Sequence, residues 1–177
     1  MKRLIGASLA AMLMVGLVAS TAFAASPNKL RVELGPPADA TITGVKSATL
    51  DVDAGGYAAL YVSSKAPFGK PLAGVDFGFD ADGSIAGGAP RLSIPVDSDD
   101  AGSGWDLFAF IDVNSCAGNG FVSTTSATCG VYIGSEFFAN WDLLAAAHPT
   151  WRMASDTMPF VIADQAGTYV LSDIDLN

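Results

Sequence analysis

The sequence predicts an all-β protein, a jelly-roll-like β-sandwich of about eight to ten strands with one short helix. Apolar and polar residues alternate in several short runs, which is the pattern of strands with one buried face. Turn-forming residues separate these runs, and the chain contains 19 glycines. Nearly all of its 18 acidic residues are aspartate, which favours turns and loops over helix interiors.

The N-terminal residues 1–24 have the three parts of a signal peptide. Lys2 and Arg3 supply positive charge, an apolar run follows, and small residues lead up to Ala24. The apolar run is shorter than the roughly 20 residues that a membrane-spanning helix needs. We therefore expect cleavage after Ala24 and secretion of residues 25–177 as one β-sandwich domain without a membrane span.

The charge of the chain narrows the classes of partner. Nine basic and 18 acidic side chains give a net charge of −9. Phosphates would repel such a protein, which argues against nucleic acid and against anionic membrane surfaces. Cations and neutral polymers remain as candidate partners.

Cys116 and Cys129 are the only two cysteines. An even number of cysteines in an exported chain predicts a disulfide. A zinc site would need more ligands than two cysteines and one histidine supply. Closing a loop of this length removes unfolded-state entropy worth about 3 kcal/mol, so we expect a structural crosslink.

The first half of the exported chain contains a hairpin signal. Residues 47–53 and 57–62 both have the composition of strands, and Ala54-Gly55-Gly56 lies between them. Strands joined by a short glycine-rich turn commonly pair with each other. We therefore predict that these two runs form a β-hairpin.

Further alternating runs predict the core. The residues expected to point inward are Leu30, Val32, Val75, Phe77, Phe79, Leu92, Ile94 and Val96. In the last run, Tyr169 and Leu171 have the opposite parity to Ile174 and Leu176. A β-bulge near Ser172-Asp173 would return both pairs to the same face.

One segment, near residues 141–148, has a helical pattern. Asn140 is a favourable N-cap, and Pro149 would stop the helix. Trp141 and Leu144 fall on the same helical stripe, which we expect to be buried.

The run 105–113 contains the candidate binding face. One set of its residues is expected to face the core: Trp105, Leu107, Ala109, Ile111 and Val113. The opposite set is Asp106, Phe108, Phe110 and Asp112. Aromatic rings stack on the C–H faces of sugars and carboxylates accept hydroxyl protons, so this second set could bind a glycan. Alternatively, the strand is buried on both faces and the helix covers the two phenylalanines.

Asp97, Asp99 and Asp100 form the densest acidic cluster. Calcium takes six to eight oxygen ligands on flexible loops, so a structural Ca²⁺ is possible here. The loop is not an EF-hand, since Ala101 occupies the fifth position and no glutamate closes the site. The alternative is a solvated loop without a metal.

The sequence shows no catalytic motif. It has no Gly-x-Ser-x-Gly elbow, and the single histidine, His148, lies at the predicted helix end, where we expect a structural role. We therefore expect a secreted, non-enzymatic protein that binds a glycan or a surface component. The alternatives are a glycoside hydrolase that uses paired aspartates and a structural envelope protein without a small ligand.

Three segments resemble small exported bacterial proteins of unknown function: residues 88–95, residues 110–112 and residues 158–169. This resemblance covers most of the exported chain and implies no activity. The last run, 168–176, is similar to the final strand of carbohydrate-binding jelly-roll modules. That similarity extends over nine residues and implies no binding residues.

Overall fold

The computed structural model describes residues 30–62, 68–83, 85, 87–99, 104–118 and 120–176. Two antiparallel sheets and one α-helix form a β-sandwich, as predicted. The expected signal peptide and Asp100 lie outside the described residues. Within these ranges, no helix has both the length and the apolar character needed to cross a membrane.

The described ranges contain thirteen strands, several of them only two or three residues long. The strands are β1 (Leu30–Gly35), β2 (Ala38–Gly44), β3 (Ser47–Val52), β4 (Tyr57–Val62), β5 (Gly78–Gly83), β6 (Arg91–Asp97), β7 (Leu107–Asp112), β8 (Phe121–Ser123), β9 (Val131–Ile133), β10 (Glu136–Phe138), β11 (Arg152–Met153), β12 (Phe160–Ala163) and β13 (Gly167–Asp175). The helix α1 covers Trp141–Ala147, and 3₁₀ turns cover Leu72–Gly74 and Val113–Ser115. The strand count exceeds the prediction because β2 was not predicted and because β8, β10 and β11 are too short to show alternation.

The strand order is that of a jelly roll with additions at its edges. The larger sheet has the order β1-β4-β12-β6-β7-β9-β10, with β11 also paired to β6. The smaller sheet has the order β2-β3-β13-β5-β8. The units β4-β12-β6-β7 and β3-β13-β5-β8 are the two four-stranded sheets of a jelly roll. The strands β1, β2, β9 and β10 extend them.

The predicted hairpin of β3 and β4 is wrong. β3 pairs with β2 and β13 in the smaller sheet, whereas β4 pairs with β1 and β12 in the larger sheet. The turn between them therefore carries the chain from one sheet to the other. Gly55 has a φ of 88°, and a Cβ on Gly56 would lie 2.2 Å from the carbonyl oxygen of Pro37. These glycines permit a tight crossing, but a tight turn does not determine the partner of either strand.

One continuous cluster of buried side chains fills the space between the sheets. The predicted inward residues Leu92, Ile94 and Val96 are fully buried in it, and the inner side of β5 contributes Phe79. Trp141 also belongs to the cluster, and its indole N–H donates to the carbonyl oxygen of Leu72 at 2.8 Å. The helix α1 therefore forms part of the core.

The ends of α1 follow the predicted signals. The side chain of Asn140 accepts a hydrogen bond from the backbone N–H of Leu143 at 3.0 Å, as expected of an N-cap. The helix ends at Ala147, and His148 is its C-cap. Pro149 follows directly, as predicted.

The predicted disulfide is present between Cys116 and Cys129, with an S–S distance of 2.05 Å. Backbone hydrogen bonds flank it, from Ala117 N–H to Thr128 O at 3.0 Å and from Gly130 N–H to Ser115 O at 2.8 Å. β7 and β9 are neighbours in the larger sheet, but between them the chain crosses to the smaller sheet to form β8. The disulfide joins the segment before β8 to the segment after it.

The predicted β-bulge in β13 is also present. The register of β13 against β5 shifts between Ser172 and Asp175, and Asp173 has a φ of 49°. Because of this extra residue, all four predicted inward side chains are buried: Tyr169, Leu171, Ile174 and Leu176. The bulge also brings Asp173 next to Asp80 on β5.

This carboxylate pair predicts a pH-dependent loss of stability. Burial raises the pKa of Asp80 above its ordinary value of 3.8, and the charge of Asp173 raises it further. A raised folded-state pKa gives a stabilising contribution that is complete below the unfolded pKa and is lost as the pH rises through the folded pKa. Asp80→Asn should therefore raise the thermal midpoint at pH 7, and the gain should shrink as the pH falls toward 3.8.

Asp76→Asn is the matched control because Asp76 is exposed and the substitution removes the same formal charge. Thermal melts of both variants across this pH range separate the local effect from the effect of net charge. Equal gains in the two variants would contradict the prediction.

Candidate functional site

The outer face of the larger sheet carries a row of aromatic residues that crosses its strands. Directly paired residues on seven neighbouring strands form the series Arg31, Tyr61, Phe160, Ser93, Phe110, Tyr132 and Phe137. Cross-strand partners project from the same face of a sheet. We call its five aromatic members, Tyr61, Phe160, Phe110, Tyr132 and Phe137, the aromatic row.

The neighbouring series of paired residues shows that the aromatic row faces outward. Leu60, Val161, Leu92 and Ile111 lie on the same four strands as Tyr61, Phe160, Ser93 and Phe110. All four of these aliphatic residues are fully buried in the core. Because side chains alternate between the two faces of a strand, the aromatic row lies on the side away from the smaller sheet.

The rings at the centre of this face contact one another. The ring centroids of Tyr61 and Phe160 are 5.2 Å apart, and those of Phe160 and Phe108 are 5.8 Å apart. Phe108 lies 6.1 Å from Phe110 and 4.4 Å from Trp105. These separations are typical of favourable aromatic pairs.

The far end of the aromatic row is more open to solvent. Tyr132 and Phe137 have ring centroids 4.8 Å apart and are 46% and 57% exposed. Phe137 lies over Gly130, where a Cβ would meet its ring at 2.6 Å. The absence of a side chain at Gly130 thus lets the Phe137 ring lie against the backbone.

Ser93 interrupts the aromatic row and is covered by its neighbours. Phe108 and Phe160 are on the strands to either side of β6, whose backbones are about 10 Å apart by normal strand spacing. Since their centroids are only 5.8 Å apart, the two rings lean toward each other over β6. Ser93 is fully buried, and its Oγ has no hydrogen-bond partner among the described residues.

The two predicted phenylalanines lie on the outer face, as expected, and α1 does not cover them. Phe108 and Phe110 are half-buried by neighbouring rings, while Trp141 and Leu144 of α1 belong to the core cluster. The inward position predicted for Trp105 is wrong. Trp105 precedes the first residue of β7, so strand alternation does not apply to it, and its side chain is 50% exposed beside Phe108.

The two carboxylates predicted to flank the rings have local partners. Asp112 caps the following 3₁₀ turn and accepts a hydrogen bond from the backbone N–H of Ser115 at 2.8 Å. Asp106 accepts hydrogen bonds from the backbone N–H of Ser98 at 3.0 Å and from its hydroxyl at 2.5 Å. Asp106 is therefore held in the β6–β7 connection, away from the aromatic row.

A half-buried ion pair borders the row. Arg91 donates from both terminal nitrogens to the two carboxylate oxygens of Asp164, at 2.9 and 2.5 Å. The guanidinium carbon lies 5.5 Å from the ring centroid of Phe110. The bidentate pairing holds the guanidinium against the ring and balances its charge.

Glu33 organises the tyrosine end of this face. The hydroxyls of Tyr57 and Tyr61 each donate to one carboxylate oxygen of Glu33, both at 3.2 Å. Burial and the charge of Glu33 raise the pKa of Tyr61 to about 12. The Tyr61 hydroxyl therefore stays protonated at physiological pH and remains a hydrogen-bond donor.

A second candidate site lies where β6 meets β7. Asp97, Asp99 and Asp106 each direct a carboxylate oxygen into a space where all three atoms are within 4.8 Å of one another, so the group could hold a metal ion. Asp97 is only 8% exposed, and its Oδ1 accepts a hydrogen bond from the Asp99 N–H at 3.3 Å. Two of the three predicted ligands are thus in the group. Asp106 joins the group because β6 and β7 are antiparallel neighbours and its backbone N–H donates to the carbonyl oxygen of Val96 at 3.1 Å.

Most of the aromatic row was missed in the sequence analysis. Tyr61, Phe160, Tyr132 and Phe137 lie on strands that are distant in sequence, and only the pairing register aligns them. A weak signal was present, since Tyr132 alternates with buried residues on a three-residue strand. Alternation could have predicted that each of these aromatic side chains points outward. It could not have predicted that they line up across the sheet.

Comparison of the chain with protein-family models, curated proteins and solved structures found no match. A functional hypothesis must therefore rest on the chemistry of the aromatic face and of the Asp97, Asp99 and Asp106 cluster. Of the two, the aromatic face is the more extensive, since it crosses most strands of the larger sheet.

The buried hydroxyl beneath the rings gives a test of this geometry. A buried polar group without a partner costs about 1–3 kcal/mol, and an alanine of similar shape removes that cost. Ser93→Ala should therefore leave the free energy of unfolding unchanged or raise it by about 1 kcal/mol in urea denaturation.

Ser115→Ala is the control. The Ser115 hydroxyl lies 2.8 Å from the carbonyl oxygens of both Asp112 and Gly130, so its loss should destabilise by about 1 kcal/mol. A clear destabilisation by Ser93→Ala would mean that the Ser93 hydroxyl does have a partner and that the rings do not close over it.

Proposed function

We propose that the protein is a secreted, non-enzymatic glycan-binding β-sandwich and that its ligand lies on the outer face of the larger sheet. The aromatic row, with Phe108 and Trp105 beside it, is the observation that carries this proposal. Large exposed apolar patches are unusual on soluble proteins and mark interaction sites. Here Trp105, Tyr132 and Phe137 each expose about half of their surface.

The chemistry around the rings favours a sugar polymer over a purely apolar partner. Ring faces can stack on the C–H groups of sugars, and polar groups at the border can bond to their hydroxyls. Tyr61 and Glu33 supply such groups at one end, and Arg91 with Asp164 supplies them along the border. The open sheet face suits a polymer that extends past the protein on both sides.

The roles of the nearby carboxylates support binding over hydrolysis. A glycoside hydrolase needs two carboxyl groups that flank the scissile bond and are available for proton transfer or attack. Asp112 instead caps a turn, and Asp164 is held by Arg91 in a bidentate pair. The disulfide and the signal-like N-terminus support a location outside the cytoplasm.

The first test is binding to a panel of neutral polysaccharides by pull-down and calorimetry. Tyr132→Ala and Trp105→Ala should each lower the affinity about threefold to tenfold, because each removes one stacking ring. Phe121→Ala is a matched control, since Phe121 is 49% exposed but lies on β8 of the smaller sheet.

Two results would contradict this proposal. The wild-type protein would bind no polysaccharide of the panel, or Phe121→Ala would weaken binding as much as the row variants do. Release of reducing sugar that disappears in single Asp→Asn variants would favour the hydrolase instead.

We also infer that Asp97, Asp99 and Asp106 hold a structural calcium ion. Three carboxylate oxygens within 4.8 Å of one another suit a hard cation with oxygen ligands. Asp106 directly follows Trp105, so an ion here would stabilise the segment that presents this ring to the aromatic face. Calcium would thus support the glycan site without touching the ligand.

Thermal melts with calcium and with chelator test the metal site. A ligand that binds only the folded state raises the midpoint, by an amount equivalent to about 2.7 kcal/mol at a concentration 100 times its Kd. Asp99→Asn should abolish the calcium-dependent shift, whereas Asp82→Asn, an exposed aspartate on β5, should retain it. Equal wild-type midpoints in the two conditions would eliminate the calcium site.

A further inference from the structure

We infer that the ligand is a single, uncharged, extended polysaccharide chain that lies along the aromatic row and crosses the strands at right angles. This inference rests on the proposed glycan-binding function. It specifies how the ligand is oriented on the sheet, how long it is and that it carries no charge.

The direction of the chain follows from where the rings lie. The aromatic row has a ring on five of the six neighbouring strands from β4 to β10, with Ser93 as the one interruption. Along any one strand the series is much shorter, since the outer face of β7 offers only Phe108 and Phe110. A chain that crosses the strands therefore meets more rings than one that follows a strand.

The length of the row sets the length of the ligand. Strands are about 4.8 Å apart, so the five intervals from Tyr61 to Phe137 span about 24 Å. One sugar unit of an extended β-1,4-linked chain is about as long as one strand interval. A chain of about five or six units would therefore cover the whole row.

Sheet twist favours one chain over a flat crystalline surface. Neighbouring strands rotate by about 20° relative to each other. The direction in which the outer side chains point therefore turns by about 100° across five strand intervals. A rigid planar surface could then contact only part of the row. A single chain can turn about its own axis and follow every ring.

Arg31 continues the paired series at the tyrosine end, but carboxylates outnumber basic side chains near the row, so the charges there disfavour an acidic ligand. Glu33 lies at the tyrosine end, Asp112 is the cross-strand partner of Arg91, and Asp164 already balances the charge of Arg91. The whole chain has a net charge of −9, which adds long-range repulsion of polyanions. An uncharged chain avoids both costs.

The test is calorimetric titration with β-1,4-linked glucose oligosaccharides from the disaccharide to the octasaccharide. A matched series of β-1,4-linked mannuronate oligosaccharides supplies the charged comparison. Affinity for the neutral series should rise about tenfold for every two added rings in contact and level off near the hexasaccharide. The charged series should bind at least tenfold more weakly at low salt.

Phe137→Ala removes the exposed ring at the end of the row. It should lower the affinity for the hexasaccharide about tenfold or less and move the plateau to a shorter chain. Phe121→Ala on the smaller sheet should change none of these values, and thermal melts of both variants check that they fold.

Several outcomes would overturn this inference while the proposed function stands. These are a plateau already at the disaccharide, equal binding of the charged series, or binding of another polysaccharide with none of this series. Stronger binding to crystalline cellulose than to the soluble hexasaccharide would overturn the single-chain part. Failure of every glycan to bind would overturn the proposed function as well.

Discussion

Burial of strand β6 on both of its faces is the constraint on which the rest of the structure depends. On the inner face, Leu92 and Ile94 pack in the core between the sheets. On the outer face, Ser93 and Pro95 are also buried and therefore need cover from other side chains. Rings from the two neighbouring strands provide that cover, so the sandwich has a thin aromatic layer outside its larger sheet.

This layer links stability to the proposed function. Its centre, where Phe108 meets Phe160, shields β6 and is half-buried. Its end, at Tyr132 and Phe137, remains open to solvent. The central rings therefore pack against the sheet, whereas the rings of Tyr132 and Phe137 provide exposed surface that a ligand could cover. A packed centre with one accessible end suits a preformed site, which binds with little ordering cost.

Features that depend on neighbouring residues can be predicted from this sequence, whereas features that depend on long-range strand pairing cannot. Local patterns determined the bulge beyond Ser172, the N-cap at Asn140 and the inward parity of Ile94, and the structure confirms all three. The crosslink was equally accessible because only two cysteines exist. Sheet membership is not local, so the turn at Gly55 was assigned to a hairpin when it crosses between sheets. The aromatic row likewise requires a register that no single segment contains.

The central claim is that the chain sorts its aromatic side chains into an enclosed set and an accessible set. NMR relaxation of ring protons in the presence of a soluble, uncharged paramagnetic probe tests this claim directly. The account predicts strong enhancement for Tyr132 and Phe137 and none for Phe77, Phe79 and Tyr169, which are fully buried. Protection of Tyr132 and Phe137 in the free monomer, or enhancement of the buried set, would contradict it.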